Sequence, residues 1–283
     1  MSIASDKLSP GLGGVPETLL IPLWARAIEQ QHADPILIDP AAVEIVDRLD
    51  YDFNTFKRQN VAVENFCVRA SVIDDVVRSA LEQRPGTPVV EFGPGLDTRC
   101  DRIGSLASSW LEVDLPEVVR LRRSFFKEND HRRIAAGSML DGSWHEACAD
   151  FDRPPLFIAE GVFYFFSVDQ IAQLLRDLAT RFPGAQFVFD AVSPEFLKLS
   201  NWQHPLKDSR LQFSLKPYAR ELTERAPQWQ VDQYVGFGDS PWYDRSMHRF
   251  PLWKRMAARW LPWGRHAFMV VQASVCENTQ PSS

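Results

Sequence analysis

Paired cysteines, long apolar runs and surplus positive charge are all scarce in this 283-residue chain. The four cysteines, Cys67, Cys100, Cys148 and Cys276, lie far apart and form no C-x-x-C pair, which argues against a zinc site and a disulfide framework. No apolar stretch reaches the roughly 20 residues that a helix needs to cross a bilayer. The first residues, "MSIASDKLSPGLGG", lack a basic start followed by an apolar segment, so no secretory signal is expected. These absences predict a soluble protein of the cytoplasm with reduced thiols. The 31 Lys and Arg are outnumbered by 37 Asp and Glu, for a formal net charge of −6, which speaks against a general nucleic-acid binder with its basic stripe. Internal repeats and low-complexity tracts are missing as well.

What is present suits a globular chain: 45% hydrophobic and 24% charged residues, enough for one domain with an elaboration. Nine Trp and nineteen Phe fit either core packing or an aromatic-lined pocket. Helical spacing of apolar residues marks "PETLLIPLWARAIEQQ", "AAVEIVDRL" and, through Phe66, Ala70, Ile73, Val77 and Ala80, "VAVENFCVRASVIDDVVRSALEQ". Short apolar runs then alternate with helical ones. "PVVEF", "SWLEVDLP", "RRIAAGSML", "PLFIAEG" and "AQFVFDAV" read as strands, with the helix "SVDQIAQLLRDLATRF" before the last of them. This order predicts a mostly parallel sheet with helices on both faces, because parallel neighbours need crossover connections. Residues 192–226 interrupt the alternation and read as an insertion or lid. Two final strands, "QWQVDQYVGF" and "RHAFMVVQAS", flank a helical piece, "RFPLWKRMAARWLP". Gly93, Asp114, Ser138 and Glu160 all fall at carboxyl ends of strands, where ligands of such sheets collect.

The turn in "VVEFGPGLDTRCDRI" decides between ligands. A dinucleotide fingerprint requires G-x-G-x-x-G, and Thr98 stands at its third glycine. Asp97, if it faces the ligand, would repel a pyrophosphate by roughly 4 kcal/mol at about 4 Å and an effective dielectric of about 20. S-adenosylmethionine carries a sulfonium and an ammonium instead of phosphates, so nearby acids favour it. Its ribose hydroxyls want a carboxylate, which Asp114 in "EVDLP" would supply; the alternative for Asp114 is a helix cap before Pro116. Arg69 sits on an apolar helix face, where a guanidinium is costly unless paired. It either clamps the methionine carboxylate or pairs with Asp74 or another acid. Glu160, ending an apolar strand, faces the cofactor's ammonium or methyl, or else makes a structural hydrogen bond.

Read together, "GVPETLLIPLWARA", "DPILIDPAAVEIVDRLDYDF", "VRASVIDDVV", "VVEFGPGLDTRCDRI", "WLEVDLPEVVRLR", "AGSMLDGSWHEA" and "FIAEGVFYFFS" resemble successive blocks of the leucine carboxyl methyltransferase superfamily. The likeness is strongest to its tetracenomycin-type polyketide O-methyltransferase branch and covers most of residues 11–195. It implies a class I methyltransferase (Rossmann-like) α/β fold and S-adenosylmethionine as methyl donor. It also implies a helical cap over 1–85, a cofactor-binding core over 86–195, an acceptor-binding insertion or lid with a late strand over 196–260, and the final strand and tail over 261–283. Carried over by position, Arg69 holds the methionine carboxylate with help from Arg26, and Gly93 and Gly95 adjoin the methionine backbone. Asp114 takes the ribose, Ser138 and Met139 the adenine, and Glu160 the amino-acid end. Glu91, Asp97, Leu115 and Gly161 complete the expected cofactor set.

The chain departs from the family in places. Ser138-Met139 replaces the frequent Asp-Leu pair at the adenine position, leaving the adenine amine to Ser138, to backbone or to Asp141. Cys100-Asp101 replaces an alanine–aromatic pair. The expected tyrosine after "AEG" aligns with Phe165, with Tyr164 one place earlier.

Methyl transfer to a carboxylate needs no general base, whereas a phenol or alcohol benefits from one. Candidates for catalytic roles are Glu160, Tyr164, His204, Tyr243 and His248. A small-molecule acceptor is expected between the cap, the 200–215 region and "GDSPWYDRSMHRF", where Trp202, Trp242 and Tyr243 can either stack on a planar ring or pack a lid. The resemblance favours an acid or hydroxyl on a secondary metabolite. Rival readings are a methyltransferase-like binding or regulatory subunit without turnover, and a nucleotide-dependent oxidoreductase. Oligomeric state is not legible.

Overall fold

The apolar runs become strands and the helically spaced stretches become helices. In the computed structural model, which describes residues 7–58, 63–203, 211–216, 221–250, 252, 255–256 and 264–276, α1 (Leu20–Glu29), α2 (Pro40–Arg48), α3 (Asn54–Arg58) and the long α4 (Val63–Gln83) come first. The alternating part follows: β1 (Val89–Phe92), α5 (Arg99–Ile103), β2 (Trp110–Asp114), α6 (Pro116–Arg122), β3 (Arg132–Ala136), β4 (Leu156–Ala159), α7 (Val168–Arg181) and β5 (Gln186–Val192). Then come α8 (Pro194–Gln203), α9 (Glu221–Arg225), β6 (Trp229–Gly236), α10 (Pro241–Ser246) and β7 (Phe268–Val275).

The strands join in one sheet, ordered β3-β2-β1-β4-β5-β7-β6. β1 to β5 pair in parallel, while β7 enters antiparallel between β5 and β6. The sequence marks β6 and β7 as strands but not this placement. Partner choice follows from the path of the chain between them, which local composition does not encode. The order reverses between β1 and β4, and that topological switch point opens a crevice outside the strand ends.

Alternation along each strand sorts the core into two layers. Val90, Phe92, Phe157 and Phe187 face one way with Leu174, Leu175 and Leu178 of α7. Val89, Ile158 and Val188 face the other with Val68, Ile73 and Val77 of α4. Helix α7 opens on a capping box in which the Ser167 hydroxyl accepts from the Gln170 amide and the Gln170 side chain from Ser167. The same alternation turns two acids inward. Glu91 and Glu112, opposite each other on β1 and β2, are both fully buried. Buried carboxylates side by side require cations, and the chain supplies an arginine to each.

The N-terminal helices also reach the crevice: α1 packs on α2 and α4, and Leu19, just before α1, sits against Gly95. Among the described residues, no helix is long and apolar enough to cross a membrane.

Candidate active site

A cavity of about 340 Å³ lies at the switch point, within the range of small-molecule sites. It is walled by the start of the cap, by the turns after β1, β2 and β3, and by the Glu160–Phe166 segment. All twelve cofactor positions expected from the sequence line it: Arg26, Arg69, Glu91, Gly93, Gly95, Asp97, Asp114, Leu115, Ser138, Met139, Glu160 and Gly161.

The glycine turn is shaped partly by its protein neighbours. Gly93 has φ +60°, and a Cβ there would come 2.6 Å from a Val162 methyl. Gly95 has φ +55°, with a Cβ 3.0 Å from Leu19. These left-handed conformations suit glycine alone. Arginines take the turn's carbonyls: Arg122 donates to those of Gly95 and Asp97 (both 2.9 Å), and Arg26 to that of Leu96 (2.9 Å). The Gly95 N–H donates to Asp114 Oδ2 at 2.8 Å, and the Leu115 N–H to Asp114 Oδ1 at 2.7 Å. Asp114 thus presents a carboxylate where a phosphate site would present a bare amide. Burial raises its pKa, opposed by those two N–H donors. The helix-cap alternative fails, because Leu115 precedes α6 without a side-chain cap.

The case against phosphate therefore rests on Asp114 and not on Asp97. Asp97 is buried and already paired, with Arg102 at 2.9 Å and Arg99 at 3.5 Å. Burial alone would raise its pKa, but Arg102, Arg26 and Arg99 outweigh burial and push it well below the ordinary value. A charge so neutralised exerts little repulsion on a ligand, which corrects the sequence-based argument.

Arg69 pairs with Glu160, not with Asp74: its Nε donates to Oε1 at 2.9 Å, and Asp190 lies 3.6 Å from Nη1. Burial would lower the Arg69 pKa, yet Glu160 and Asp190 push it up. Gly161, at φ +70°, leaves room for this guanidinium; a Cβ there would stand 3.3 Å from Nη1 and Nη2. Asp74 instead serves Arg99 and Arg102, each at 2.7 Å. Arg26 is buried against Asp39 at 2.8 Å, so two of its nitrogens are spent on Asp39 and Leu96 while the residue still borders the cavity.

Sequence reasoning missed Arg99, Asp190 and the Arg122–Glu112 pair. Arg99 is fully buried and meets Asp74, Glu91, Asp97 and Glu160. Asp190 is fully buried on β5 and accepts from the Gly161 N–H at 2.7 Å and the Tyr164 hydroxyl at 2.6 Å. The signal was available: a lone acid inside an apolar strand, as in "VVEF" or "FVFDAV", demands a buried donor.

At the far side of β2, Ser138 and Met139 line the cavity. Asp141 does not. Its Oδ2 accepts from the Ser138 N–H at 2.9 Å and its Oδ1 from the Ser143 N–H and hydroxyl, so it braces the turn.

The catalytic candidates fare unevenly. Glu160 and Tyr164 line the cavity. Burial, then Asp190, raises the Tyr164 pKa well above that of a free phenol. Tyr243 and His248 lie elsewhere, because residues 237–250 fold back onto α4 and the loop after α1. There Trp242 donates to Asp75 at 2.6 Å, Arg249 to Glu29 at 2.7 Å, and Tyr243 packs near Phe250. His248 is exposed. None of the described residues of 196–260 lines the cavity, so "GDSPWYDRSMHRF" lies away from its wall, which is made in part by the first helices and the segment from Glu160 to Phe166. His204 and the Trp202 side chain lie outside the described parts of the structure.

Residues 20–179 match the leucine carboxyl methyltransferase family. The chain belongs to that family. A tetracenomycin polyketide synthesis O-methyltransferase from Streptomyces glaucescens is 29% identical over 232 residues, covering 81% of this chain and 86% of that protein. An S-adenosyl-L-methionine-dependent methyltransferase from Gibberella zeae is 26% identical, over 90% of this chain and 95% of its own. Among solved structures, a plantazolicin methyltransferase aligns over 93% of this chain and 100% of that one, with 12% identity and a TM-score of 0.49. The class I fold is carried here by the strand order and the antiparallel β7. This leucine carboxyl methyltransferase family member is an S-adenosylmethionine-dependent methyltransferase. Its residues fit that cofactor: a fixed carboxylate beside the glycine turn, acids and arginines together at one end of the cavity, and the apolar Leu115 and Met139 near the other.

Proposed function

We propose that the protein O-methylates a small-molecule acceptor bearing a carboxylate or an acidic hydroxyl. The observation that carries this is that, among the described residues, no histidine or lysine lines the cavity. The titratable groups lining it are Arg26, Arg69, Glu91, Asp97, Asp114, Glu160 and Tyr164. The arginines are paired, each acid is engaged by N–H donors, and the Tyr164 hydroxyl donates to Asp190. With no histidine or lysine among these groups and every carboxylate already bonded to the protein, the wall suits an acceptor oxygen that arrives as an anion.

S-adenosylmethionine, when bound, supplies a methyl group activated by its sulfonium. The chain's own residues supply alignment and exclusion of water, which can contribute several kcal/mol. In this reading Arg69 holds the methionine carboxylate, Glu160 the amino group and Asp114 the ribose hydroxyls. Ser138 and Met139 adjoin the adenine. The acceptor enters past Pro16, Ile21, Phe66, Phe165 and Phe166, an apolar and aromatic stretch of wall suited to a ring system. The name of the Streptomyces relative supports a secondary metabolite. The helical cap, residues 1–85, is assigned to closing over this mouth. Four free thiols, three of them buried, support a cytoplasmic location.

The test is a rate comparison with labelled S-adenosylmethionine on matched aromatic acceptors carrying a carboxylate, an acidic phenol or an aliphatic alcohol. Methylation of the carboxylate across pH 6–9 with little dependence on pH, of the phenol in proportion to its ionised fraction, and none of the alcohol, is the expected result. Efficient methylation of the alcohol would overturn the base-free reading.

A further inference from the structure

Arg99 opens α5 and is completely buried, without a place in the cavity wall. Each of its nitrogens is committed. Nε donates to Asp74 at 2.7 Å, Nη1 to Glu91 at 2.5 Å, and Nη2 to Glu160 Oε2. Asp97 stands 3.5 Å from Nη1. Burial would lower the Arg99 pKa, but the surrounding acids outweigh it and raise the pKa well above the ordinary value, so the cation is permanent.

Glu160 is the member of this group that belongs to the far side of the switch point. One oxygen accepts from Arg69 on α4, the other from Arg99 on α5. A glutamate at a strand end, followed by a glycine with φ +70°, has three side-chain torsions to lose on being fixed. Two guanidiniums, one on each oxygen, remove that freedom before any ligand arrives. Glu160, so held, still lines the cavity, and each of its oxygens has a further lone pair to offer a donor. Arg69 borders the cavity itself and has a ligand to bind, whereas Arg99 reaches the cavity only through the acids it holds.

We infer that Arg99 is a positioning residue that presents Glu160 to the amino group of the methyl donor. Asp74 holds Arg99 from behind, so affinity at the amino end depends on a residue one contact removed from the ligand. The inference rests on the assignment of the donor's amino group to Glu160.

Isothermal titration with S-adenosylhomocysteine and its desamino analogue tests it. The wild-type protein is expected to prefer the amine-bearing ligand about tenfold or more, as for a hydrogen bond between charged groups. In Arg99→Lys the preference should fall to within about threefold, with the desamino analogue binding as before, because lysine cannot reach Asp74, Glu91 and Glu160 together. Equal weakening of both ligands, or an undiminished preference, would overturn the proposal. Should Arg99→Lys not fold, Asp74→Asn decides. Asp74 does not line the cavity but also holds Arg102, so Arg102→Gln is the control: a loss of amine preference that Arg102→Gln does not reproduce acts through Arg99, and a loss that it does reproduce, or a retained preference, counts against the proposal. A wild-type protein indifferent to the amine would instead sink the Glu160 assignment, and this inference with it.

Discussion

Asp114 and Glu160 flank the glycine turn, one at the end of β2 and the other just past β4, and the protein holds them by different means. Asp114 accepts two main-chain N–H groups, from residues 19 and 1 positions away in sequence. Glu160 accepts two guanidiniums, from residues 91 and 61 positions away. The carboxylate on the proposed ribose side is therefore held locally, by main-chain N–H groups of the turns after β1 and β2, with Arg26 and Arg122 bracing the turn's carbonyls. The proposed methionine side exists only when α4, α5, β4 and β5 have come together. Its charges also bear a desolvation cost that only the full set of partners offsets, so losing one member leaves the rest exposed to that cost.

If this contrast is right, breaking the ion-paired side should have the larger effect. Arg69→Ala removes one of the two arginines that hold Glu160 and the arginine paired with Asp190, and with them the proposed carboxylate clamp. Affinity for S-adenosylhomocysteine should fall by about 2–4 kcal/mol, measured by calorimetry on protein shown to be folded by its melting transition. Unchanged binding would make the pair purely structural and erase the contrast.

Glu91 sharpens the same side through pH. Burial, opposed by Arg99, raises its carboxyl from 4.5 to about 7. Between those values the folded protein keeps a proton that the unfolded chain has released. The stability from this group is then fully present below about 4.5 and lost as pH rises towards about 7. Glu91→Gln should flatten that fall, by on the order of 2 kcal/mol between its ends, as read from denaturant unfolding at pH 5 and pH 8. A slope identical to that of the wild type would show that Glu91 stays ionised beside Arg99 throughout.

On the ribose side the corresponding change is milder. Asp114→Asn removes the charge that strengthens hydrogen bonds accepted from ribose hydroxyls, a loss of about 1 kcal/mol. Ligands with ribose hydroxyls should weaken by this amount and a 2′,3′-dideoxy analogue by much less. Equal losses for both would mean that Asp114 acts only through the turn.

The same contrast explains what could be read before the structure. The strands, their ligand-facing ends, the glycine turn and Asp114 follow from patterns spanning a few residues, so composition and spacing reveal them. The role of Arg99 does not, because Asp74, Glu91 and Glu160 lie on three different elements and "DTR" names none of them. Tyr243 and His248 lie away from the cavity for a related reason. Their residue types suit catalysis, but the chain carries them back onto α4, a path set by Trp242 and Arg249 finding Asp75 and Glu29.

Ser138 offers the smallest and most local change. Its hydroxyl accepts from the Leu140 N–H at 3.2 Å and its own N–H is held by Asp141, so the side chain closes the turn beside the cavity. Ser138→Asp preserves an acceptor for Leu140 and places a carboxylate where the family often has one. That second oxygen can accept from an adenine amine, at the expense of added repulsion from Asp141 nearby. The net gain should therefore be small, below about 1 kcal/mol for S-adenosylhomocysteine. The matched ligand with hypoxanthine in place of adenine presents an oxygen instead of the amine, and its affinity should drop in the same variant. Adenine selectivity rising while overall affinity barely moves would place the adenine beside the Ser138 turn. Selectivity left as it was would put the base elsewhere in the cavity and confine Ser138 to bracing its loop.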